Sequence, residues 1–272
     1  VQYANINDYG TLPILNRGGT WEIEFKFYQS DGSFLGSFDV PRNLANGAVE
    51  YDSSIGYEIL YFGCFPGNLQ NWSSTFQGFV VANTIQGGYY TVQAEAISIP
   101  GFSAGDAISK SYTINLNCPT LKGYEPIRLC WLNQWGGWDY YTFTMKSSRM
   151  ISTQGSTYNQ LAGTWNESSY RINGFKGGKK AFRVNATEKI TMNTDFVNES
   201  ESEWFEELIN SPEVYMLKGY VNTVETGSAL NQYVIPVRLT TSSYTRKTVA
   251  NDKLMQYTFE VEKSKTLRTQ SI

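Results

Sequence analysis

Any catalysis by this chain would have to run on carboxylates, because its 272 residues include no histidine. Without an imidazole there is no Ser–His or Cys–His nucleophile, no histidine-ligated zinc and no histidine acid–base relay. Glycoside hydrolysis needs two Asp or Glu residues facing a sugar. Asp139, beside Trp131, Trp135 and Trp138, is the one place where a carboxylate and stacking aromatics fall together. Its other reading is a hairpin residue that faces solvent or bonds to the turn at Asn133, and on that preference no catalytic residue is assigned. Glu201, Glu203, Glu206 and Glu207 would suit a metal, but they also suit the solvated face of a helix, and no metal or cofactor site is assigned. The run from Lys176 to Lys180 (Lys-Gly-Gly-Lys-Lys) lacks the spacing and the hydroxyl of a phosphate-binding loop and reads as a solvated hairpin tip. Cys64, Cys118 and Cys130 are an odd set without CxxC spacing. They read as buried small hydrophobes, with a Cys118–Cys130 bridge as the alternative.

The element that would position this chemistry is the stretch 124–143. In its first arm Ile127, Leu129 and Trp131 share one parity, and Arg128, Cys130 and Leu132 share the other, so both faces are expected to bury something. Asn133-Gln134-Trp135-Gly136-Gly137 breaks the run, and its two glycines are expected to supply the positive φ angles of a tight connection. The second arm sets Trp138, Tyr140 and Thr142 against Asp139, Tyr141 and Phe143. Each large aromatic hides ~150–250 Å² when buried, so this hairpin should nucleate a core or form an interface. A packing role for its tryptophans is preferred over a sugar-stacking platform.

Elsewhere the signals are mostly those of strands. Residues 21–27 alternate Trp21, Ile23, Phe25 and Phe27 against Glu22, Glu24 and Lys26, and the turn at 29–33 returns them to a partner at 34–40. Further strand-like runs lie at 57–62, 76–82, 89–99 and 109–116, and the absence of intervening helices suggests a β-sandwich. Residues 1–17 read as an irregular arm that orders either on a partner or on its own domain. Residues 146–178 are polar and weakly patterned, with short strands at most near Thr164 and Ser168, and long excursions of this kind often bind something. The one convincing helix starts near Ser200 or Ser202, with Ser200-x-x-Glu203 as a capping box and the glutamates crowding its start. It carries the stripe Trp204, Phe205, Leu208, Ile209 and stops at Pro212. Strands resume at 180–194, 213–221, 233–239, 242–249 and 254–262.

The expected fold class is therefore all-β: two antiparallel β-sandwich-like domains, 1–119 with its N-terminal arm and 120–272 with the aromatic hairpin and one short helix. Aromatics make up 15% and charged residues 17%, below the usual quarter charged, which favours strands and polar-aromatic contact surfaces. A net charge of −3 with no basic block argues against bulk attraction to nucleic acid. No apolar run approaches the ~20 residues of a membrane helix, the opening Val1-Gln2-Tyr3 does not read as a charged, apolar secretion leader, and the sequons at Asn71, Asn166, Asn185 and Asn198 read as chance.

The pattern Arg-Leu-Cys-Trp-Leu-Asn-x-x-Gly-Gly-Trp-Asp-Tyr-Tyr-Thr-Phe at 128–143 resembles structural proteins of tailed bacteriophages and prophages, in collar, ring or tail-associated components. Similar stretches follow at 204–215, 234–238, 244–248 and 251–259, so the resemblance covers roughly Pro126 to Arg268. It implies a non-enzymatic virion subunit whose partners are copies of itself and other virion proteins. Trp131, Asn133, Trp135, Gly136, Gly137, Trp138, Tyr140, Trp204 and Pro212 are the candidate interface or core-organising residues. A carbohydrate- or receptor-binding β-sandwich module, with a glycan as ligand, is the alternative expectation.

Overall fold

The computed structural model describes residues 2–6, 8–16, 20–41, 58–69, 78, 87–96, 103, 105–116, 124–164, 168–172, 176–218, 233–245 and 255–265. Its first half runs β1 (Gln2–Ala4), β2 (Thr11–Asn16), β3 (Thr20–Tyr28), β4 (Phe34–Pro41), β5 (Glu58–Gly63), the short helix α1 (Pro66–Leu69), β6 (Tyr89–Ala96) and β7 (Tyr112–Leu116). The second half runs β8 (Ile127–Leu132), β9 (Trp138–Phe143), β10 (Ser147–Gln160), β11 (Gly178–Asn193), α2 (Glu199–Asn210), β12 (Val214–Leu217), β13 (Val234–Leu239) and β14 (Thr258–Lys263). The fold is all-β. One sheet has the order β1-β7-β6-β3-β4, a second the order β10-β11-β14-β13-β12-β8-β9, and β2 pairs with β5 alone. The pairing is antiparallel except between β1 and β7, which run parallel.

Period-two patterning explains the first core. Ile23, Phe25 and Phe27 of β3 are fully buried, and Phe38 of β4 stacks on Phe25 and Phe27 at 5.0 and 5.6 Å. Tyr90 of β6 is buried with them and donates its hydroxyl to the Cys64 carbonyl at 2.7 Å. Burying side chains of this size stabilises by ~1.5–3 kcal/mol each. The first core does not stop at the first half of the chain: Cys130, Tyr140 and Leu217 belong to it, with Trp138 and Tyr215 packed against it. The opposite parities of β8 and β9, Ile127, Leu129, Trp131, Tyr141 and Phe143, join Phe205, Leu208, Ile190, Met192 and Phe259 in a second core. The aromatic hairpin is thus a partition with one core on each face, as its two-sided pattern leads one to expect. The boundary expected near residue 120, Cys118 and most of the run 76–82 lie outside the described residues.

Three expectations change. The opening residues are not a loose arm: β1 joins the first sheet beside β7, and β2 pairs along its whole length with β5. Short strands complete neighbouring ladders here and bury Ala4, Leu12 and Ile14 in the first core, too few apolar positions, interrupted by Asn5, Asp8 and Gly10, to read as strands. Residues 147–160 are a strand, where an irregular excursion was expected, and they pair with β11 from Ser147↔Met192 to Gln160↔Gly178. Residues 242–245 are irregular where a strand was expected, because Tyr244 is spent on α2, donating to the Ser202 carbonyl at 2.7 Å. Cys64 and Cys130 are both buried free thiols, and loss of solvation pushes Cys130 up to about 12, so both act as small hydrophobes.

On the outer face of the first sheet, burial and the neighbouring Glu24 and Asp39 push the Glu95 carboxyl up to about 7, with Lys26 opposing. The folded value lies above the unfolded one, so this contribution to stability is complete below ~4.5 and is lost as pH rises through about 7. Glu95→Gln should therefore melt at the same temperature as the wild type near pH 4.5 and at a higher one at pH 8. Equal melting temperatures at both values would contradict this.

Candidate functional site

The junction between the two cores is built from charges and polar groups that the hairpin presents to the opening segment. Arg128, buried on β8, pairs with Asp8 Oδ2 at 2.7 Å. Its guanidinium lies 5.2 Å from the Phe65 ring centre and 5.1 Å from that of Tyr140. A buried cation is costly unless it is paired and bonded, so this site fixes residues 8–9 against β8. Tyr140 is also held by Thr11, whose backbone N–H donates to the Tyr140 hydroxyl at 3.1 Å.

Asp139 is held by bonds within the chain rather than turned to solvent. It accepts from Gln2 Nε2 at 2.9 Å and from Trp204 Nε1 at 2.7 Å. Burial raises its carboxyl above the ordinary range, against those bonds and one from Asn133. One carboxylate thereby ties together β1, β9 and α2. Glu201 does similar work: it accepts from Tyr3 Oη at 2.9 Å and from the Asn198 N–H at 2.9 Å.

The helix cap sits earlier than expected. Asn198 is the N-cap, its Oδ1 accepting from the Glu201 N–H at 2.9 Å. Asn-x-x-Glu has the same spacing as the Ser200 motif, and both bonds of the box form between Asn198 and Glu201, while Ser202 is buried inside the helix and bonded to Tyr244 and Tyr257. In consequence only Glu199 and Glu201 occupy the first turn. Glu206 and Glu207 fall in the second half of the helix, where its dipole disfavours negative charge and where the last turn has no basic residue. The helix ends at Asn210 with Ser211 as C-cap, just before exposed Pro212.

The turn is ordered by Asn133, whose Oδ1 accepts from the backbone N–H groups of Trp135 and Gly137 at 3.0 and 2.9 Å. Only Gly136 has a positive φ, 78°. Gly137 is needed for a different reason: a Cβ there would lie 2.9 Å from Pro13 Cγ. Gly137→Ala should therefore cost ~1–3 kcal/mol by overpacking β2 against the turn, read as a lower urea midpoint with unchanged slope. Trp131 is fully buried against Trp204, 4.8 Å between ring centres, and against Phe205. Trp138 packs on Tyr215. Trp135 alone of the three points away from both cores, 85% exposed at the tip.

Around this tip lies a cleft of about 670 Å³, walled by Tyr3, Leu12, Pro13, Tyr112, Trp135 and Trp138, with Asp139 and Glu201 at its polar side. A second groove, of about 620 Å³, meets it at Asn133 and Trp204 and is lined by Leu132, Gln134, Glu203, Glu206, Glu207 and Pro212. The structure brings Trp131, Asn133, Trp135, Gly136, Gly137, Trp138 and Tyr140 of the hairpin together with Trp204 of α2. The sequence does not single out Asp8, Thr11 and Gln2, which close the junction from the other end of the chain.

The second surface with no evident duty inside the fold is the ribbon β10–β11. Only residues 189–193 of β11 pair with β14, so the 178–188 portion continues past the sheet for roughly 35 Å at ~3.3 Å per residue. Its root is locked by Glu188, which accepts from Arg149 at 3.0 Å and from Lys263 at 2.5 Å. The Lys263 hydrogen bond is the main cause that holds this carboxyl below its ordinary range. Farther out both faces are open, and Met150, Ile151, Tyr158, Phe182 and Val184 are exposed. A bulge after Ser156 seats Phe182 edge-on to Tyr158 at 6.5 Å. Among the described residues no group of three or more Asp, Glu or Cys is placed to hold a metal ion, and no helix is long and apolar enough to cross a membrane. Compared with known proteins, the chain matches no family model, no curated protein and no solved structure.

Proposed function

We propose that this chain is a non-enzymatic structural subunit of a tailed-phage particle, repeated as a ring, collar or tail-associated sleeve through contacts with copies of itself and with other virion proteins. The observation that carries the assembly part of this reading is the edge strand β10. Free edges invite pairing with another chain, and folded proteins blunt them with lysine, proline or brevity. β10 is 14 residues long, contains no proline and has Arg149 as its one charge. Large apolar side chains stand exposed on both faces of the ribbon that it forms. A subunit whose edge is covered in the particle needs no such guard. The phage particle itself is proposed on the resemblance of residues 128–143, and the virion is the proposed location.

A glycan-binding module is the second reading, favoured by one observation: the cleft beside exposed Trp135 also presents Tyr112 and Trp138. Against it, the carboxylates and the Asn133 oxygen on the cleft's polar side are already bonded within the chain. The solution mass at low and high concentration, with a glycan panel on the same sample, separates the two. A discrete multimer without sugar binding is the expected result, and a monomer that binds a glycan would reverse the choice. Trp135→Ala should weaken the multimer and leave the melting temperature unchanged. An intact multimer that melts lower would count against that role for the tip.

A further inference from the structure

We propose that the distal ribbon of one copy docks into the aromatic cleft beside the Trp135 turn of the next copy, its basic side chains meeting the glutamates of α2. This deepens the assembly reading and rests on it.

Three observations converge on a second copy as the occupant. The first is position. In the sheet order β10-β11-β14-β13-β12-β8-β9 the ribbon forms one edge and the hairpin with its turn the other, with three strands between them. Every neighbouring pair in that order is antiparallel, so β9 and β10 run the same way: the ribbon tip leaves one end of the sheet and the 133–137 turn lies at the other, which is the geometry of a head-to-tail contact that closes into a ring or runs on as a filament.

The second is charge. Between residues 150 and 187 the chain carries Arg171, Lys176, Lys179, Lys180 and Arg183 against the single acid Glu167. Its net charge is −3, so the remainder is more acidic than that figure suggests. The groove that continues the cleft holds Glu203, Glu206 and Glu207. Glu206 and Glu207 sit toward the helix C-terminus, where no basic residue of α2 offsets them or the dipole. An incoming lysine or arginine relieves both unfavourable interactions at once.

The third is surface type. The ribbon end exposes Tyr158 and Phe182 at its bulge, and the cleft offers Trp135, Tyr112, Leu12 and Pro13. Aromatic anchors entering an apolar pocket with charges at its rim are the usual composition of a specific contact. Nucleic acid is the other partner that suits a basic, aromatic ribbon, but the acidic, aromatic receptor at the opposite end of the same sheet favours a second copy.

The test uses two full-length variants. K179E/K180E/R183E removes the donor, and E203K/E206K/E207K removes the acceptor. Each alone should raise the dissociation constant of the contact by about a hundredfold or more through like-charge juxtaposition. Both should therefore run as monomers, with melting temperatures close to wild type. Mixed together they should assemble again, because the ribbon of each variant then meets a cleft of opposite charge on the other. If reversal lowers the melting temperature, K179Q/K180Q/R183Q replaces the donor variant and must still weaken assembly and flatten its salt dependence. Variants that keep the wild-type mass, or a mixture that stays monomeric, overturn the docking while leaving assembly by another surface intact. A wild-type chain that is monomeric at every concentration overturns the assembly reading with it. Wild-type monomer that shifts a short DNA duplex, with the shift lost in K179E/K180E/R183E, overturns it in favour of nucleic acid.

Discussion

Trp131→Ala is expected to destabilise the chain by ~3–5 kcal/mol, the range for emptying a fully buried large aromatic site. Trp131 is 0% exposed and wedged against Trp204 and Phe205. Phe205 in turn touches Tyr141, Phe143, Tyr257 and Phe259. Little can collapse into such a hole, because α2 is also fixed by the bond from Trp204 to Asp139 and by its Asn198 cap. Trp131→Phe should cost much less: the ring contacts largely remain, and the indole N–H, which has no acceptor in the core, is removed. Leaving such a donor buried costs ~1–3 kcal/mol. Chemical denaturation of the two variants reads the difference directly. An alanine variant within ~1 kcal/mol of wild type would mean that the second core is not organised around this residue.

The larger effect on function is expected from shortening the ribbon. Residues 153–186 can be replaced by Asn-Gly, joining Ser152 to its partner Thr187 through a two-residue turn that suits an antiparallel pair. Glu188, Ile190 and Met192 stay in place, so the ion-pair lock and the core side chains at the ribbon root are untouched. Self-assembly should be lost, and the melting temperature should change by only a few degrees.

Where one face of an element meets a core, its residues announce it. β3 alternates because Ile23, Phe25 and Phe27 are buried while Glu24 and Lys26 are not, and the stripe on α2 is visible for the same reason. The hairpin is legible as a two-sided element because β8 and β9 are apolar on both parities, although its service to two separate cores depends on partners far away in sequence. The ribbon is not legible. With solvent on both faces there is no apolar period to read, and Ser, Thr, Gln and Asn look like a loop; only the scattered Tyr158, Phe182, Val184 and Ile151 hint at strand. The junction is hidden differently. Asp8, Thr11 and Gln2 acquire meaning through Arg128, Tyr140 and Asp139, more than a hundred residues on, and no local pattern marks them. The two glycines of the turn look alike in sequence, yet Gly136 serves by its positive φ and Gly137 by the closeness of Pro13.

Self-assembly through the ribbon is most directly tested by light scattering of the intact and shortened chains side by side across a wide concentration range. The intact chain should give a discrete mass several times its 30.7 kDa at high concentration, and the shortened chain a monomer throughout. Equal masses for the two, whether both multimeric or both monomeric, would contradict it.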